Sequence, residues 1–440
     1  MSLLFLDEKL ASPKDLPHIL IEKIAINNSG EFIRVFEEET RWHSIISEHF
    51  DTLKGHDAYR AALQAMNEDE KVARHLNTLV GTKSQTRIES DDFLRSFLSK
   101  LLKDQQNVAF QEAVFEENYG TIEDYFYRDL LDYRYISPLS NYIMDTENIE
   151  LTPNFRIIRM TTEQKEGILS NSVAGPFSFL PFRMLDPEYA LEIHTQEPKV
   201  FGHNVPADQA RFPDIFAQKN FDDAVSALRL FKNGDVAYSI LWRKPMKWEP
   251  SGGEMLSTIS GRGIVFGSRY HLSKDEIPAF LAFWNFFRRI REKKNNRIEI
   301  ALRRLNFSYE RVEAQDRLID YLIGFEALLL EGGQELEYRL SLRSSALLGS
   351  NAEEKKKIFA YIKKAYRERS NIVHGGQVKN VIKMGGVAIQ FGQFVYTIGE
   401  HLKAAIKEFI KLCEQQNESQ VLKSLDEKIL SGGKYILAQE

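Results

Sequence analysis

The chain reads as a mixed α+β protein that is mainly helical: an all-α helical bundle at the C-terminus, preceded by a small mixed α+β domain and a mostly helical N-terminal region. Three observations predict this. Apolar residues recur at helical spacing almost without interruption after Ser273, strand-like alternation recurs between about 150 and 272, and helical spacing returns from about Asp51 to Tyr142. At 440 residues, roughly two to four folded units are expected. The boundaries read as 1–150, 151–272 and 273–440.

In the first region, Phe93, Phe97, Leu101 and Leu102 keep the 3–4 spacing of an amphipathic helix. This region holds 16 Lys and Arg against 28 Asp and Glu, a net charge of -12, whereas the remaining 290 residues hold 42 against 35, a net of +7. An acidic N-terminal third is a poor binder of polyanions. The second region opens with Phe155 to Met160, which alternates apolar and basic residues. Thr161 and Gln164 then have the spacing of a capping box. Strand-like segments follow at Tyr189–Ile193, Val236–Trp242 and Gly263–Tyr270. The glycines at 252, 253, 261 and 263 lack both GxxxxGK[ST] and GxGxxG, so they read as a turn and not a phosphate cradle.

Ser273 and Glu276 can cap the first helix of the third region. Helices are expected at about 274–294, 296–306, 312–331, 335–348, 352–374, 387–415 and 418–430. Gly332, Gly349 and the Gly375–Gly376 pair stand where left-handed C-terminal caps belong.

Composition excludes several classes. A single Cys413 supplies neither an internal disulfide nor a cysteine-based zinc site. No run approaches the roughly 20 apolar residues of a membrane helix, and no basic residue precedes the short patch Leu3–Leu6, so a cytoplasmic protein without a signal peptide is expected. His43, His49 and His56 lack the i, i+4 spacing of an HExxH zinc helix, and no GxSxG elbow occurs. No metal and no cofactor is expected.

Chemistry concentrates in three helices where a charged residue stands in an apolar stripe. Glu326 interrupts Ile319, Leu322 and Leu329; Arg343 interrupts Leu336, Leu340 and Leu347; Arg369 interrupts Phe359, Ile362, Tyr366 and Val373. A charge buried without a partner costs several kcal/mol, so a shared polar network is expected, serving either a site or the helix register. His374 follows Arg369 by five residues at a helix end, the end of the dipole that favours cations. Imidazole beside guanidinium can cleave RNA: one moves protons at the 2'-hydroxyl and leaving oxygen, the other holds the phosphate. A histidine that merely caps its helix is the plainer reading.

The string Tyr366-Arg-Glu-Arg-Ser-Asn-Ile-Val-His-Gly375 resembles the signature of HEPN domains, in which an Arg is followed after four to six residues by a His. Arg369-Ser-Asn-Ile-Val-His374-Gly375, with Asp320, Phe325-Glu326-Ala327-Leu328 and Arg343 upstream, is similar to the Apea-like branch. The likeness covers about 290–430. The middle region loosely resembles the segment before such domains in bacterial anti-phage proteins of the ApeA type. This resemblance implies a metal-independent endoribonuclease acting by 2'-hydroxyl attack, of defence or toxin type. Arg369 and His374 would be its catalytic pair, in a homodimer formed through the HEPN domain. RNA, with tRNA one candidate, would be the substrate, and a phage-derived or cellular trigger would activate it. Ser370 stands where active members often carry Asn, Asp or His. Arg367 gives a second count to His374, while Glu326 and Arg343 would support the pair. The alternative is a non-catalytic HEPN module that binds RNA or protein or dimerises.

Arg288, Arg289, Arg291, Lys293, Lys294 and Arg297 form a basic run after Phe283, Trp284, Phe286 and Phe287. Such a run can track a nucleic-acid backbone, or it can be a solvated helix face. The aromatics read as core.

Overall fold

A computed structural model describes residues 18–26, 32–76, 78–81, 86–105, 110–173, 187–202, 207–250, 254–258, 268–293 and 295–431. The glycines at 252, 253, 261 and 263 and the patch Leu3–Leu6 lie outside these residues. The architecture is mixed α+β and mainly helical. No helix among the described residues is long and apolar enough to cross a membrane.

Two compact units emerge. The first comprises Met1–Leu139, Glu147–Phe221 and Tyr238–Ser260, and the second Ser140–Thr146, Asp222–Ala237 and Gly261–Glu440. This differs from a three-part division at 150 and 272. The reason is a strand near the expected first boundary, Leu130–Pro138, which hydrogen-bonds into the middle of a sheet whose other strands come from 148–258.

That sheet contains β1 (Leu130–Pro138), β2 (Asn148–Thr152), β3 (Phe155–Arg159), β4 (Tyr189–Pro198), β5 (Ile240–Pro245) and β6 (Met255–Thr258), in the order β6-β5-β1-β4-β3-β2. All neighbours are antiparallel, with Tyr135 opposite Ile193 and Trp242 opposite Ile136. Thr161 and Gln164 bond reciprocally, as their spacing predicts, and start the helix Thr162–Val173. Ile168 of that helix joins Ile136, Ile158, Ala190, Ile240 and Trp242 in the core. A separate cluster, including Phe93, Phe97, Ile122, Tyr125 and Phe126, joins helices of the region before this sheet. The helical spacing expected from Asp51 to Tyr142 is, however, interrupted by short strands at Leu79–Gly81 and Thr86–Arg87 and gives way to strands at Leu130–Pro138 and Tyr142–Met144.

In the second unit, seven helices are described after residue 268: α1 (Ile277–Glu292), α2 (Asn296–Glu310), α3 (Ala314–Leu329), α4 (Leu336–Leu348), α5 (Ala352–Val373), α6 (Phe391–Leu412) and α7 (Glu418–Leu430). Ser273 and Glu276 form the expected capping box ahead of α1. Asn351 caps α5 by accepting from the Glu353 and Glu354 amides at 3.1 and 3.0 Å, and Asn417 caps α7 reciprocally with Gln420. Helix α6 is the centre of the unit, burying Phe391, Phe394, Ile398, Leu402, Ile406 and Phe409 against α2, α3, α4 and α5. Two glycines permit its close approach to α3. A Cβ on Gly324 would meet Leu402 at 2.9 Å, and one on Gly399 would meet the Tyr321 ring at 2.7 Å.

The helix expected at 387–415 instead starts at Phe391, because Val381–Met384 and Val387–Gln390 form a β-hairpin. Gly385 and Gly386, both at positive φ, make its two-residue turn. Gly332 and Gly375 are left-handed as expected, whereas Gly349 ends α4 at φ -82.

Candidate functional site

Helix α5 carries the candidate pair at its C-terminal end. His374 is the residue that closes the helix, with φ -90 and ψ 14, and its amide donates to the Ser370 carbonyl at 3.1 Å. Its side chain is exposed. Beyond it the chain reverses sharply. Gly375 adopts φ +76 and donates to the Ile372 carbonyl at 3.0 Å, and Gly376 donates to the Asn371 carbonyl at 2.8 Å. The Asn371 amide tucks into the turn, donating to the Gln377 carbonyl at 3.0 Å. It comes so close that a Cβ on Gly376 would lie 1.9 Å from Asn371 Oδ1.

Arg369 is half-buried and lies 3.7 Å from Glu326 of α3, so two of the three charges in apolar stripes meet. The contact is long for an ion pair with hydrogen-bond character, and Arg369 Nε is buried without a hydrogen-bond partner. Tyr366, one turn earlier, sits beside this pair. Burial, and then the Glu326 charge, raise its phenol above the ordinary range. In the sequence Tyr366 stands in the apolar stripe and at the head of the HEPN-like string, with no polar role assigned to it. Its polar role comes from the third dimension, since Glu326 lies 40 residues away in the chain.

Arg369 and His374 do not share a helical face. Five residues separate their directions by about 140° around an ideal helix. Arg367, seven residues before His374, shares its face to within about 20°. It is exposed and its Nε donates to Glu337 at 3.0 Å. Ser370 is half-buried.

Arg343 departs from the expectation of one network. It is buried at 4% exposure and forks onto Asp426 of α7 at 2.8 and 2.6 Å, with a third bond to the Leu329 carbonyl at 2.6 Å. It therefore ties α3, α4 and α7 together, and does not meet Glu326 or Arg369. No local signal points to Asp426, which is 83 residues downstream. Asp320, 2% exposed, forms a further polar node with Arg304 at 3.0 Å and Arg311 at 2.9 Å.

The basic run serves mainly as clamps. Arg291 donates to Asp223 and Glu299, both at 2.9 Å. Lys293 donates to the carbonyls of Cys413 and Glu414, and Arg297 to those of Ala327 and Leu330. Arg289 meets Glu414 at 3.3 Å, and Arg288 lies 3.9 Å from Glu292. Lys294 is outside the described residues. All five side chains have partners: Lys293 and Arg297 meet the last carbonyls of helices, where cations are favoured, Arg291 is held between two carboxylates, and Arg288 and Arg289 stay at the surface with long contacts to Glu292 and Glu414. Trp284 and Phe287 are core, as expected. Cys413 is buried, and burial pushes its thiol up to about 12, far from a thiolate at neutral pH.

The chain was compared with family models, with curated proteins and with solved structures, and matches none of them.

Proposed function

We propose that the second unit is a HEPN-type endoribonuclease that cleaves RNA by attack of the 2'-hydroxyl, with the first unit as its sensor. The reading rests on the HEPN-like string from Tyr366 to Gly375. One structural observation carries it further: the incompletely satisfied guanidinium of Arg369, with a buried Nε lacking a partner and a 3.7 Å contact to Glu326, five residues from an exposed imidazole on the same helix. A half-buried guanidinium with an unsatisfied donor is suited to a phosphate whose charge grows in the transition state. His374 then takes the proton from the 2'-hydroxyl or gives one to the departing 5'-oxygen. The products are a 2',3'-cyclic phosphate and a 5'-hydroxyl.

Because Arg369 and His374 diverge around α5, a second copy is part of the proposal: a homodimer would face the two motifs so that each site draws on both. Exposed apolar side chains at Val373, Val381 and Val387 flank the motif and suit such a face. In this reading the protein is cytoplasmic, acts on cellular or phage RNA, tRNA among the candidates, and answers to a defence or toxin trigger.

A second reading is favoured by the same divergence: a silent module in which Arg369 and Glu326 fix helix register and the domain binds RNA or protein. The deciding experiment incubates wild-type, Arg369→Ala and His374→Ala proteins with total RNA and a defined tRNA in EDTA, and analyses product ends. Cleavage by wild type alone, ending in cyclic phosphate, supports the nuclease. Cleavage that persists in His374→Ala overturns the assignment, and binding without cleavage by all three favours the module.

A further inference from the structure

A second polar site lies within the same unit, away from the residues assigned above. A cavity of about 400 Å³ opens between the loop 233–235, α2, the first half of α3 and the first half of α6. That volume falls in the range of small-molecule sites, roughly 300–1,000 Å³. Its walls combine three tyrosines (Tyr309, Tyr321 and Tyr396) with Asp235, Glu400, Arg317 and Lys403.

Internal pairing accounts for only some of these charges. Lys403 donates to Asn233 Oδ1 at 2.6 Å and pairs with Glu400 one turn earlier. Asn233 Nδ2 in turn donates to the Tyr396 hydroxyl at 3.3 Å. Asp235 forms no ion pair among the described residues, and burial raises its carboxyl above the ordinary range. Arg317 is exposed at the rim; its Nε donates to the Arg311 carbonyl at 2.8 Å, and its two terminal nitrogens have no partner among the described residues. The cavity thus offers one carboxylate inside that has no ion pair and is held by the Ser268 backbone, one guanidinium fork at the rim whose terminal nitrogens have no hydrogen-bond partner among the described residues, and aromatic walls between. Gly399 is needed for this shape, since a Cβ there would strike the Tyr321 hydroxyl at 2.8 Å.

We infer that this cavity binds a purine nucleoside monophosphate. A carboxylate accepts from an exocyclic amino group or a ribose hydroxyl, tyrosines give a planar base apolar contact and hydroxyl donors, and a guanidinium fork takes a phosphate in two bonds. A cavity that presents a carboxylate inside and a guanidinium fork at its rim suits a ligand that carries a donor at one end and an anion at the other. The cavity shares no lining residue with the Arg369–His374 motif, so the inference stands apart from the nuclease proposal.

The test is calorimetric titration of the full chain with AMP and GMP, with UMP, adenosine and tryptophan as comparators. Saturable one-to-one binding of AMP or GMP is expected. Removing the phosphate, as in adenosine, weakens it roughly tenfold or more. Asp235→Asn and Arg317→Ala each weaken the purine nucleotide by a similar factor while the thermal melt stays in place; Arg317 is exposed, so that variant keeps its fold. Absence of binding by both purine nucleotides at millimolar concentration overturns the inference, as does unaltered binding in either variant. Equal binding of UMP, or preference for tryptophan, overturns the ligand class. No RNA enters the titration, so its outcome is independent of whether the protein cleaves RNA.

Discussion

The Arg343 guanidinium forks onto the Asp426 carboxylate at 2.8 and 2.6 Å, joining α4 to α7. The two ends are unequal: the Arg343 side chain is 5% exposed and the Asp426 side chain 48%. Removing the carboxylate leaves a buried cation with only the Leu329 carbonyl, whereas removing the guanidinium leaves a carboxylate that water can reach. Asp426→Ala is therefore expected to destabilise the protein by about 3 kcal/mol, and Arg343→Met by clearly less. Urea denaturation of both variants checks this; equal losses would mean that burial of Arg343 is not what makes the pair asymmetric.

On the proposed nuclease reading, Arg369→Ala is expected to lower RNA cleavage by about 10² to 10³. Glu326→Gln should lower it by a smaller factor, because it leaves the cation in place and removes its counter-charge. Arg367→Ala should change stability by less than about 0.5 kcal/mol, since its bond to Glu337 is exposed. Rates with a defined RNA, alongside circular dichroism of each variant, separate chemistry from folding. A larger loss from Arg367→Ala than from Arg369→Ala would transfer the phosphate-holding role to Arg367, the residue on the face of His374.

The turn after His374 is a third point of attack. Gly376→Ala places a methyl on Asn371 Oδ1, so the turn must open. Gly375→Ala strains a residue at φ +76, for about 1 kcal/mol. Both substitutions should depress cleavage by displacing His374 while the melt of the helical unit shifts by only a few degrees. Asn371→Ala, which deletes the bond to the Gln377 carbonyl, should act in the same direction.

In the first unit, His75 is 6% exposed. Its Nδ1 donates to the Lys71 carbonyl at 2.6 Å, and its Nε2 accepts from the Lys199 ammonium at 2.9 Å. Burial is the main cause that lowers its pKa to about 4, with the Lys199 charge adding to it. A histidine depressed in the folded state binds its proton first on unfolding, so stability is lost as pH falls from the unfolded value near 6.5 toward about 4. The loss should reach up to about 3 kcal/mol, and His75→Gln should remove that slope. Denaturation followed by tryptophan fluorescence across that range measures both curves, and parallel curves would exclude His75 as the cause.

Much of the fold could be read locally. The capping pairs Ser273–Glu276 and Thr161–Gln164 and the helix spans of the C-terminal region follow from contacts within one turn, which residue order determines. The hairpin Val381–Gln390 was also legible: β-branched residues on both sides of Gly385–Gly386 are a hairpin signal, obscured by an apolar period that continues into α6. The stripes correctly marked Glu326, Arg343 and Arg369 as charges needing partners, and could not say which partners. Asp426, Tyr366 and the carbonyls that hold Lys293 and Arg297 all come from distant segments.

Residue order by itself determined the helical C-terminal region, its caps and the Tyr366–Gly375 string, because these depend on periodicity and on neighbours three or four residues apart. Tertiary structure alone decided that Arg343 is a clamp, that Arg291 meets carboxylates while Lys293 and Arg297 meet helix-end carbonyls, that β1 joins the sheet of the middle region, and that Asp235, Arg317 and three tyrosines meet around one cavity. The physical reason is that hydrogen bonds and desolvation are settled by whichever polar group packing brings within about 3 Å, and sequence separation places no limit on that choice.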